Sequence, residues 1–125
     1  MGQVILEAKG LVKSYLNGQS KLIVLNGIDL SLEEGKIITI MGKSGSGKST
    51  LLNILSTLDS SDRGSLKING DNIRNFSDND ISSLRNYYIG FVFQFHHLLP
   101  DFTVFENILM PKSLLIFLNR STNIK

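Results

Sequence analysis

Residues Gly42 to Thr50 read Gly-Lys-Ser-Gly-Ser-Gly-Lys-Ser-Thr, and this stretch decides the predicted fold. It matches the phosphate-loop pattern G-x-x-x-x-G-K-[ST]. The apolar run Ile37 to Met41 precedes it as a predicted buried strand, and apolar residues at helical spacing follow it. The alternative is a Gly/Ser-rich linker that happens to contain lysine. The strand before and the helix after favour a loop that holds phosphate groups.

The residue types in this loop suit a polyanion. Glycine allows the backbone conformations and close approach that point several N–H groups at one ligand, and the following helix adds its unpaired N–H groups and its dipole. Lys48 is placed to reach the β- and γ-phosphates, and the Ser49 hydroxyl is placed to bind Mg²⁺. We expect the nucleotide to contact Gly42, Ser44, Gly45, Ser46, Gly47, Lys48, Ser49 and Thr50.

Composition limits the other possibilities. The chain has 125 residues, of which 42% are hydrophobic and 19% charged, as expected of one globular domain or part of one. Its net charge of +2 does not indicate a nucleic-acid partner. The absence of cysteine from the sequence excludes disulfides and thiolate metal sites. The start of the sequence does not resemble a secretion signal, and the longest apolar candidate, Leu114 to Leu118, is far shorter than the roughly 20 residues of a membrane span. A membrane role would therefore require a partner chain.

Hydrophobic periodicity predicts an antiparallel sheet ahead of the loop. A helix from about Ser49 to Thr57 should bury Leu51, Ile54, Leu55 and Leu58, and a second helix should begin at Ser77. The other predicted elements are strands at Val4 to Leu6, Leu22 to Leu25, Ile28 to Leu32, Leu66 to Ile68 and Ile89 to Phe93, with turns at Asn17-Gly18, Glu34-Gly35, Asp59 to Gly64 and Gly70-Asp71.

Two side chains outside the loop are candidates for nucleotide contact. Tyr15 lies just before a predicted turn, where its ring either stacks on a nucleobase or packs on its own sheet, and position alone does not decide between them. Gln94 follows the predicted strand Ile89 to Phe93, at the end of a strand where ligands bind in open α/β sheets. From position alone, an ordinary loop glutamine is the favoured interpretation of Gln94.

The segment after Gln94 is unusually apolar. Phe95, Leu98, Leu99 and Phe102 would be costly to expose, which suggests a partner surface over Phe95 to Phe102. The adjacent His96 and His97 point in different directions and have no carboxylate at ligand spacing, so a metal site is disfavoured. Thr103 and Glu106 have the spacing of a capping box for a helix that ends before Pro111.

These motifs together resemble the N-terminal half of an ABC-transporter ATP-binding subunit. Within that family the chain is similar to the lipoprotein-releasing (LolD-type) branch, close to the macrolide-export and cell-division branches. The resemblance covers roughly residues 3 to 111. It rests on Tyr15 in Lys-Ser-Tyr, Asn26 to Leu30 before Gly35, the loop Gly42 to Thr50, Gly90 to Gln94, Gln94 to Thr103, and Glu106-Asn107.

The resemblance implies an α/β fold, a P-loop NTPase-like sheet with an N-terminal antiparallel β-subdomain, and ATP and Mg²⁺ as cofactors. Tyr15 would stack on adenine, Lys48 would act in catalysis, and Gln94 would contact Mg²⁺ or the attacking water. Phe95 to Phe102 would receive the coupling helix of a transmembrane permease. A second ATP-binding subunit is implied as homodimer partner, at the cytoplasmic face of the cell membrane.

The sequence also departs from the family pattern. It contains no Leu-Ser-Gly-Gly-Gln signature, no apolar strand ending in Asp-Glu and no later switch histidine, so we expect these 125 residues alone to lack turnover. Residues 112–125 do not resemble the helical subdomain of the family. The hypothesis is a truncated or prematurely ended member, with residues 1–111 as the N-terminal part of an incomplete nucleotide-binding domain and residues 112–125 as a divergent tail.

Other classes stay open. An ATP-binding or interaction fragment without turnover is the second hypothesis. A soluble P-loop kinase or GTPase is disfavoured because the guanine-binding sequence Asn-Lys-x-Asp does not occur. The strand Ile37 to Met41 should be central in a doubly wound sheet, and some of its neighbours are missing from the predicted elements. We therefore expect a marginally stable, aggregation-prone domain unless another chain completes it.

Overall fold

The computed structural model describes residues 2–95 and 97–110. It separates into two compact units, Met1–Ser77 and Asp78–Lys125. The first unit holds a four-stranded antiparallel sheet and the phosphate loop with its helix. The second holds a helix, an aromatic segment and a helical turn. The fold class is α/β with an antiparallel sheet, as the sequence predicts.

A long hairpin forms the centre of the first unit. Strand β1 (Val4–Asn17) pairs antiparallel with β2 (Ser20–Glu33) across the predicted turn, and Asn17 lies opposite Ser20. The two apolar runs predicted as separate strands are both part of β2. They are joined through Gly27, which has a φ of 74° and lies where the pairing register shifts. A glycine bulge of this kind lets a strand continue past an unpaired residue.

The sheet continues on the other side of β1. Strand β3 (Arg63–Ile68) pairs with β1, and the short β4 (Asp71–Asn72) pairs with β3, so the strand order is β2-β1-β3-β4. A short 3₁₀ helix, Ile73–Asn75, follows β4. The predicted strand at Leu66 and Ile68 is confirmed, and both side chains are buried. Other buried apolar side chains of the sheet are Ala8, Leu11 and Leu25.

Helix α1 (Lys48–Leu55) follows the phosphate loop and buries Leu51 and Ile54, as predicted. It ends earlier than predicted. Thr57 has a φ of 60°, a backbone conformation that no right-handed helix contains, and Leu58 beyond it is 43% exposed. The expectation that Leu58 packs in the core is therefore wrong, because the chain leaves the helical path before reaching it.

Two predicted strands are absent from the part of the chain that the structure describes. Residues 37–41 and 89–93 have no regular secondary structure there. In the first run, Ile37 is 95% exposed and Met41 is 86% exposed, so the prediction of a buried strand is wrong in this structure. A strand exists only when its N–H and C=O groups pair with a neighbour, and within residues 2–95 and 97–110 neither run has a paired neighbour.

The second unit contains helix α2 (Asp78–Tyr88), which buries Leu84, and a helical stretch over residues 104–110. The capping box is confirmed. The N–H and the hydroxyl of Thr103 both donate to Oε2 of Glu106 at 2.8 Å, and the Glu106 N–H donates to Thr103 Oγ1 at 3.3 Å. The predicted stop at Pro111 and the predicted tail 112–125 lie outside the described residues.

We expect the exposed run 37–41 to drive self-association, because unpaired apolar backbone is a template for strand pairing. Ile37→Lys and Met41→Lys should lower the weight-average mass measured by analytical ultracentrifugation at increasing concentration. The matched control is Leu16→Lys, which charges a single apolar side chain that is 82% exposed on β1 and should change little. A wild-type chain that stays monomeric across the concentration series would contradict the expectation.

Candidate functional site

The phosphate loop is held against the sheet at Gly47. This residue has a φ of 91° and begins α1. A Cβ built there would lie 3.0 Å from both Cγ1 and the carbonyl oxygen of Val24 and 3.1 Å from Cδ2 of Leu25. Both the positive φ and the close approach disfavour any other side chain at this position. The requirement for glycine at this position in the motif is therefore also a requirement for packing the loop on β2.

The first half of the loop is a tight turn. Gly45 has a φ of 77°, and the Ser46 N–H donates to the Lys43 carbonyl at 3.2 Å. A Cβ at Gly42 would lie 2.5 Å from Oγ of Ser46, so any other residue there would require the Ser46 side chain to turn away. The turn thus places Gly42 next to the Ser46 side chain.

Positive charge is concentrated where the loop meets α1. The Lys48 ammonium donates to the carbonyl oxygens of Gly42 at 2.8 Å and Lys43 at 2.7 Å, so it lies over the loop itself. No side chain caps the N-terminus of α1, and its first turn contains no acidic residue. The helix dipole and the Lys48 charge therefore favour an anion at the same place.

The remaining predicted loop residues are accessible. Ser44, Ser46 and Ser49 are exposed and Thr50 is half-buried. Glycines that a Cβ would obstruct, an uncapped helix N-terminus, a lysine over the loop and an exposed hydroxyl together fit a Mg²⁺-bound triphosphate.

Tyr15 is part of a polar cluster that the sequence analysis missed. Its ring is 43% exposed, and its hydroxyl donates to Oδ2 of Asp59 at 3.1 Å. The other carboxylate oxygen, Oδ1, accepts from Lys13 Nζ at 2.7 Å. Lys13 also donates to the Ser60 carbonyl at 2.6 Å, and its Nζ lies over the Tyr15 ring, 5.3 Å from the centroid. The ring is therefore neither fully packed on its sheet nor free.

Lys13 and Asp59 stabilise each other's charged forms. The hydrogen bond from Lys13 to Asp59 raises the pKa of the lysine, although burial acts in the opposite direction. Partial burial acts to raise the pKa of Asp59, but hydrogen bonds from Lys13, the Ser60 N–H and Tyr15 hold it below its ordinary value. Lys13 is only 9% exposed, so its ammonium requires this carboxylate.

A second carboxylate ties the same loop to β1. Asp62 accepts a hydrogen bond from the Ser14 N–H at 2.9 Å and another from the Ser14 hydroxyl, which lowers the pKa of Asp62. Asp59 and Asp62 were part of a segment predicted only as a polar turn. The sequence shows a lysine two residues before a tyrosine, but no sequence pattern indicates that this lysine pairs with Asp59, 46 residues away.

Gln94 lies in the second unit, directly after the aromatic run, and is exposed. Nearby, Phe93 contacts the rings of Phe91 and His97, with centroids 4.5 and 4.6 Å apart. His97 thus makes an aromatic contact, while His96 lies outside the described residues. Among those that are described, no group of three or more His, Cys, Asp or Glu side chains is arranged to hold a metal.

The predicted partner surface, Phe95 to Phe102, is exposed in its described residues. Phe95 is 70% exposed and Leu98 62%. Leu98, Leu99, Pro100 and Phe102 line a shallow apolar cavity together with Val104, Asn107 and Ile108. Over the described residues, no helix is both long and apolar enough to cross a membrane.

Asn107 holds this surface in shape. Its Oδ1 accepts from the Leu99 N–H at 2.9 Å, and its Nδ2 lies 3.0 to 3.2 Å from the carbonyl oxygens of Leu99, Phe102 and Thr103. One side chain therefore links the middle of this segment, at Leu99, to its C-terminal end at Phe102. The sequence contained Asn107 only as part of a family motif, without this role.

Comparisons with known proteins agree with this geometry. The ABC transporter family profile matches residues 25–124. The chain is 52% identical over 107 residues to the lipoprotein-releasing system ATP-binding protein LolD of Alcanivorax borkumensis, covering 86% of this chain and 47% of that protein. It is 49% identical over 107 residues to the protein of the same name from Geobacter metallireducens, covering 86% and 48%.

Solved structures give the same result. The chain matches a dimeric structure of a post-hydrolysis state of the ATP-binding cassette MJ0796 bound to ADP and Pi, with a TM-score of 0.84 and 35% identity, over 89% of this chain and 48% of that one. A dimeric structure of the same protein, described as a bacterial ABC transporter cassette, matches with a TM-score of 0.85. The chain thus spans about half the length of the relatives it matches.

The cluster around Asp59 predicts a pH dependence of stability. A carboxylate with a lowered folded pKa stabilises the fold above its unfolded pKa of about 3.8 and loses that contribution as the pH falls through the lower folded value. Lys13, with a raised pKa, contributes below 10.5 and loses its contribution only above its higher folded pKa. The Tm difference between wild type and Asp59→Asn should therefore be constant from about pH 5 to about pH 9 and shrink below pH 3.8.

Circular-dichroism melts across this range would measure the difference. Glu34→Gln is the matched control, because it removes an exposed carboxylate in the turn after β2. A Tm gap for Asp59→Asn that persists unchanged at pH values well below 3.8 would contradict the assignment.

Proposed function

Because this chain belongs to the ABC transporter family, we propose that it is the ATP-binding part of a subunit that energises a membrane export complex. The observation that carries the proposal is the phosphate loop. Gly47 is fitted to β2, and Lys48 lies over the loop at an uncapped helix N-terminus. This arrangement binds a triphosphate by its charge.

The residues have distinct proposed roles. Backbone N–H groups of the loop from Gly42 to Thr50 surround the phosphates, including those of Ser44 and Ser46, and Lys48 neutralises the β- and γ-phosphate charge during transfer. By the family resemblance, Ser49 would hold Mg²⁺, and Gln94 would contact Mg²⁺ or the attacking water. The exposed Tyr15 ring stacks on the adenine. Bound Mg²⁺ would supply further charge neutralisation between the phosphates.

The proposed cargo is lipoprotein released from the inner membrane. The relatives from Alcanivorax borkumensis and Geobacter metallireducens both bear the name of the lipoprotein-releasing system, which supports this branch over the macrolide-export and cell-division branches. In the ATPases of the family, binding is followed by hydrolysis coupled to transport. These 125 residues contain no Asp-Glu pair after an apolar run and no Leu-Ser-Gly-Gly-Gln. We therefore expect them to bind without turnover by themselves.

Two protein partners follow from this function. The first is a transmembrane permease, which we propose docks on Phe95 to Phe102. The exposed side chains and shallow cavity of this segment form an apolar docking surface. The second is another ATP-binding subunit, supported by the dimeric state named for the matched cassette structures. The complex would place this chain at the inner face of the cell membrane.

Replacing Lys48 tests the proposed function. Lys48→Ala should weaken Mg-ATP binding about ten- to hundredfold, because a charge-assisted contact to phosphate is lost. Isothermal titration of the whole chain measures the affinity, and a phosphate-release assay on the same samples should show no turnover. Lys43→Ala is the matched control, since it removes an equal charge from the same loop at a variable position of the motif. Unchanged binding in Lys48→Ala would refute the loop assignment, and Lys48-dependent phosphate release would refute the absence of turnover.

Replacing Asn107 tests the docking surface. Asn107→Ala favours the helix over residues 104–110 but removes the hydrogen bonds to Leu99, so the Leu99 amide should exchange with deuterium faster. Co-expression with the permease of the same system should then recover less permease in a pull-down. Asn79→Ala, in the exposed first turn of α2, is the control. Full permease recovery together with faster exchange of the Leu99 amide would exclude this surface as the docking site.

A further inference from the structure

The contacts of Asp59 suggest a role that the family motif does not include. Asp59 lies in the segment between α1 and β3, outside the phosphate loop and outside β1. Its two carboxylate oxygens bind different partners, Lys13 through Oδ1 at 2.7 Å and Tyr15 through Oδ2 at 3.1 Å. The Ser60 N–H also donates to Oδ1 at 2.7 Å, which fixes the orientation of the carboxylate itself.

These contacts hold the Tyr15 ring at both its polar end and one face. The hydroxyl bond to Asp59 restrains rotation of the ring away from the loop 59–62. The Lys13 ammonium lies over one face of the ring, 5.3 Å from its centroid, so a flat ligand would have to approach the opposite face. Lys13 is in turn fixed by Asp59 and by the Ser60 carbonyl. An otherwise mobile aromatic side chain on the end of a strand is thereby given one orientation.

We propose that Asp59 is a positioning residue that, together with Lys13, fixes the Tyr15 ring as the platform for a nucleobase. The inference rests on the proposed function, because it needs a nucleotide whose phosphates lie in the loop. Asp59 touches neither the base nor the phosphates. It acts by removing the ordering cost of the ring before the base arrives, so it contributes to affinity for the base and leaves phosphate binding alone.

The test compares two probes on the whole chain, Mg-ATP and magnesium tripolyphosphate, which lacks a base. Asp59→Asn should weaken ATP binding about three- to tenfold, a part of what full loss of base stacking costs, and leave tripolyphosphate binding unchanged. Tyr15→Phe keeps the ring and the Lys13–Asp59 pair but removes the hydroxyl, and should weaken ATP binding to a similar extent. The double variant should lose less ATP affinity than the sum of the two single losses, since both single variants disturb the bond between Asp59 and the Tyr15 hydroxyl.

Asp62→Asn is the matched control. It breaks the neighbouring tie between the same loop and β1, at Ser14, without a contact to Tyr15, and should leave both affinities unchanged. An equal loss for ATP and tripolyphosphate in Asp59→Asn would show that Asp59 only supports the fold, and would overturn the proposal. Unchanged ATP affinity in Tyr15→Phe would also overturn the proposal. Because Tyr15→Phe retains the Lys13–Asp59 ion pair, it tests the proposal even where Asp59→Asn folds poorly.

The outcomes also separate this inference from the function on which it rests. If Lys48→Ala abolishes ATP binding while Asp59→Asn and Tyr15→Phe do not alter it, the loop assignment stands and the positioning role falls. A wild-type chain that binds ATP no better than tripolyphosphate would mean that the base is not recognised, which overturns the positioning role and the proposed stacking of Tyr15 on adenine but leaves the role of the phosphate loop standing. A wild-type chain that binds neither probe overturns both.

Discussion

The close approach of Gly47 to β2 is the contact on which the nucleotide site depends. The loop carries the phosphate-binding groups, but their direction is set by where the loop joins α1. A Cβ at that junction would lie 3.0 Å from Val24, so any other residue would strain the backbone and shift the loop or β2 slightly. Leu51 and Ile54 then fix the rest of α1 by burial. The backbone thus positions the loop before any side chain contacts a ligand.

The Lys13–Asp59 ion pair connects β1 to the segment between α1 and β3. Strand β1 and the segment after α1 are far apart in sequence, and the carboxylate of Asp59 connects them beside Tyr15. A hydrogen bond from Ser14 to Asp62 connects the same two segments a second time, a few residues away. Because one such tie includes the aromatic ring and the other does not, the support of the loop 59–62 is separate from the support of the Tyr15 ring.

Local sequence patterns predicted the elements whose interactions are local. The hairpin turn at Asn17-Gly18, helix α1 and the capping box of Thr103 and Glu106 depend on residues a few positions apart, and all three are present. The runs 37–41 and 89–93 were predicted as strands because their composition is strand-like. A strand depends on a partner elsewhere in the chain, and composition does not supply one. The tie made by Asp59 was missed for the same reason, since Lys13 lies 46 residues away. Asn107 bonds to residues only four to eight positions away, but no spacing rule identifies these bonds.

In the proposed site, the loop and the Tyr15 ring would recognise different parts of a nucleotide by different interactions. The loop offers oriented N–H groups, a helix dipole and the Lys48 ammonium, all of which respond to charge that every triphosphate carries. The ring offers a flat apolar face, which responds to the base and not to the phosphates. Charge attraction acts over several ångströms and tolerates small displacements, whereas stacking requires the ring to be in place and in plane. A ring with nearly half its surface exposed therefore needs outside restraint more than the loop does, and Asp59 provides it.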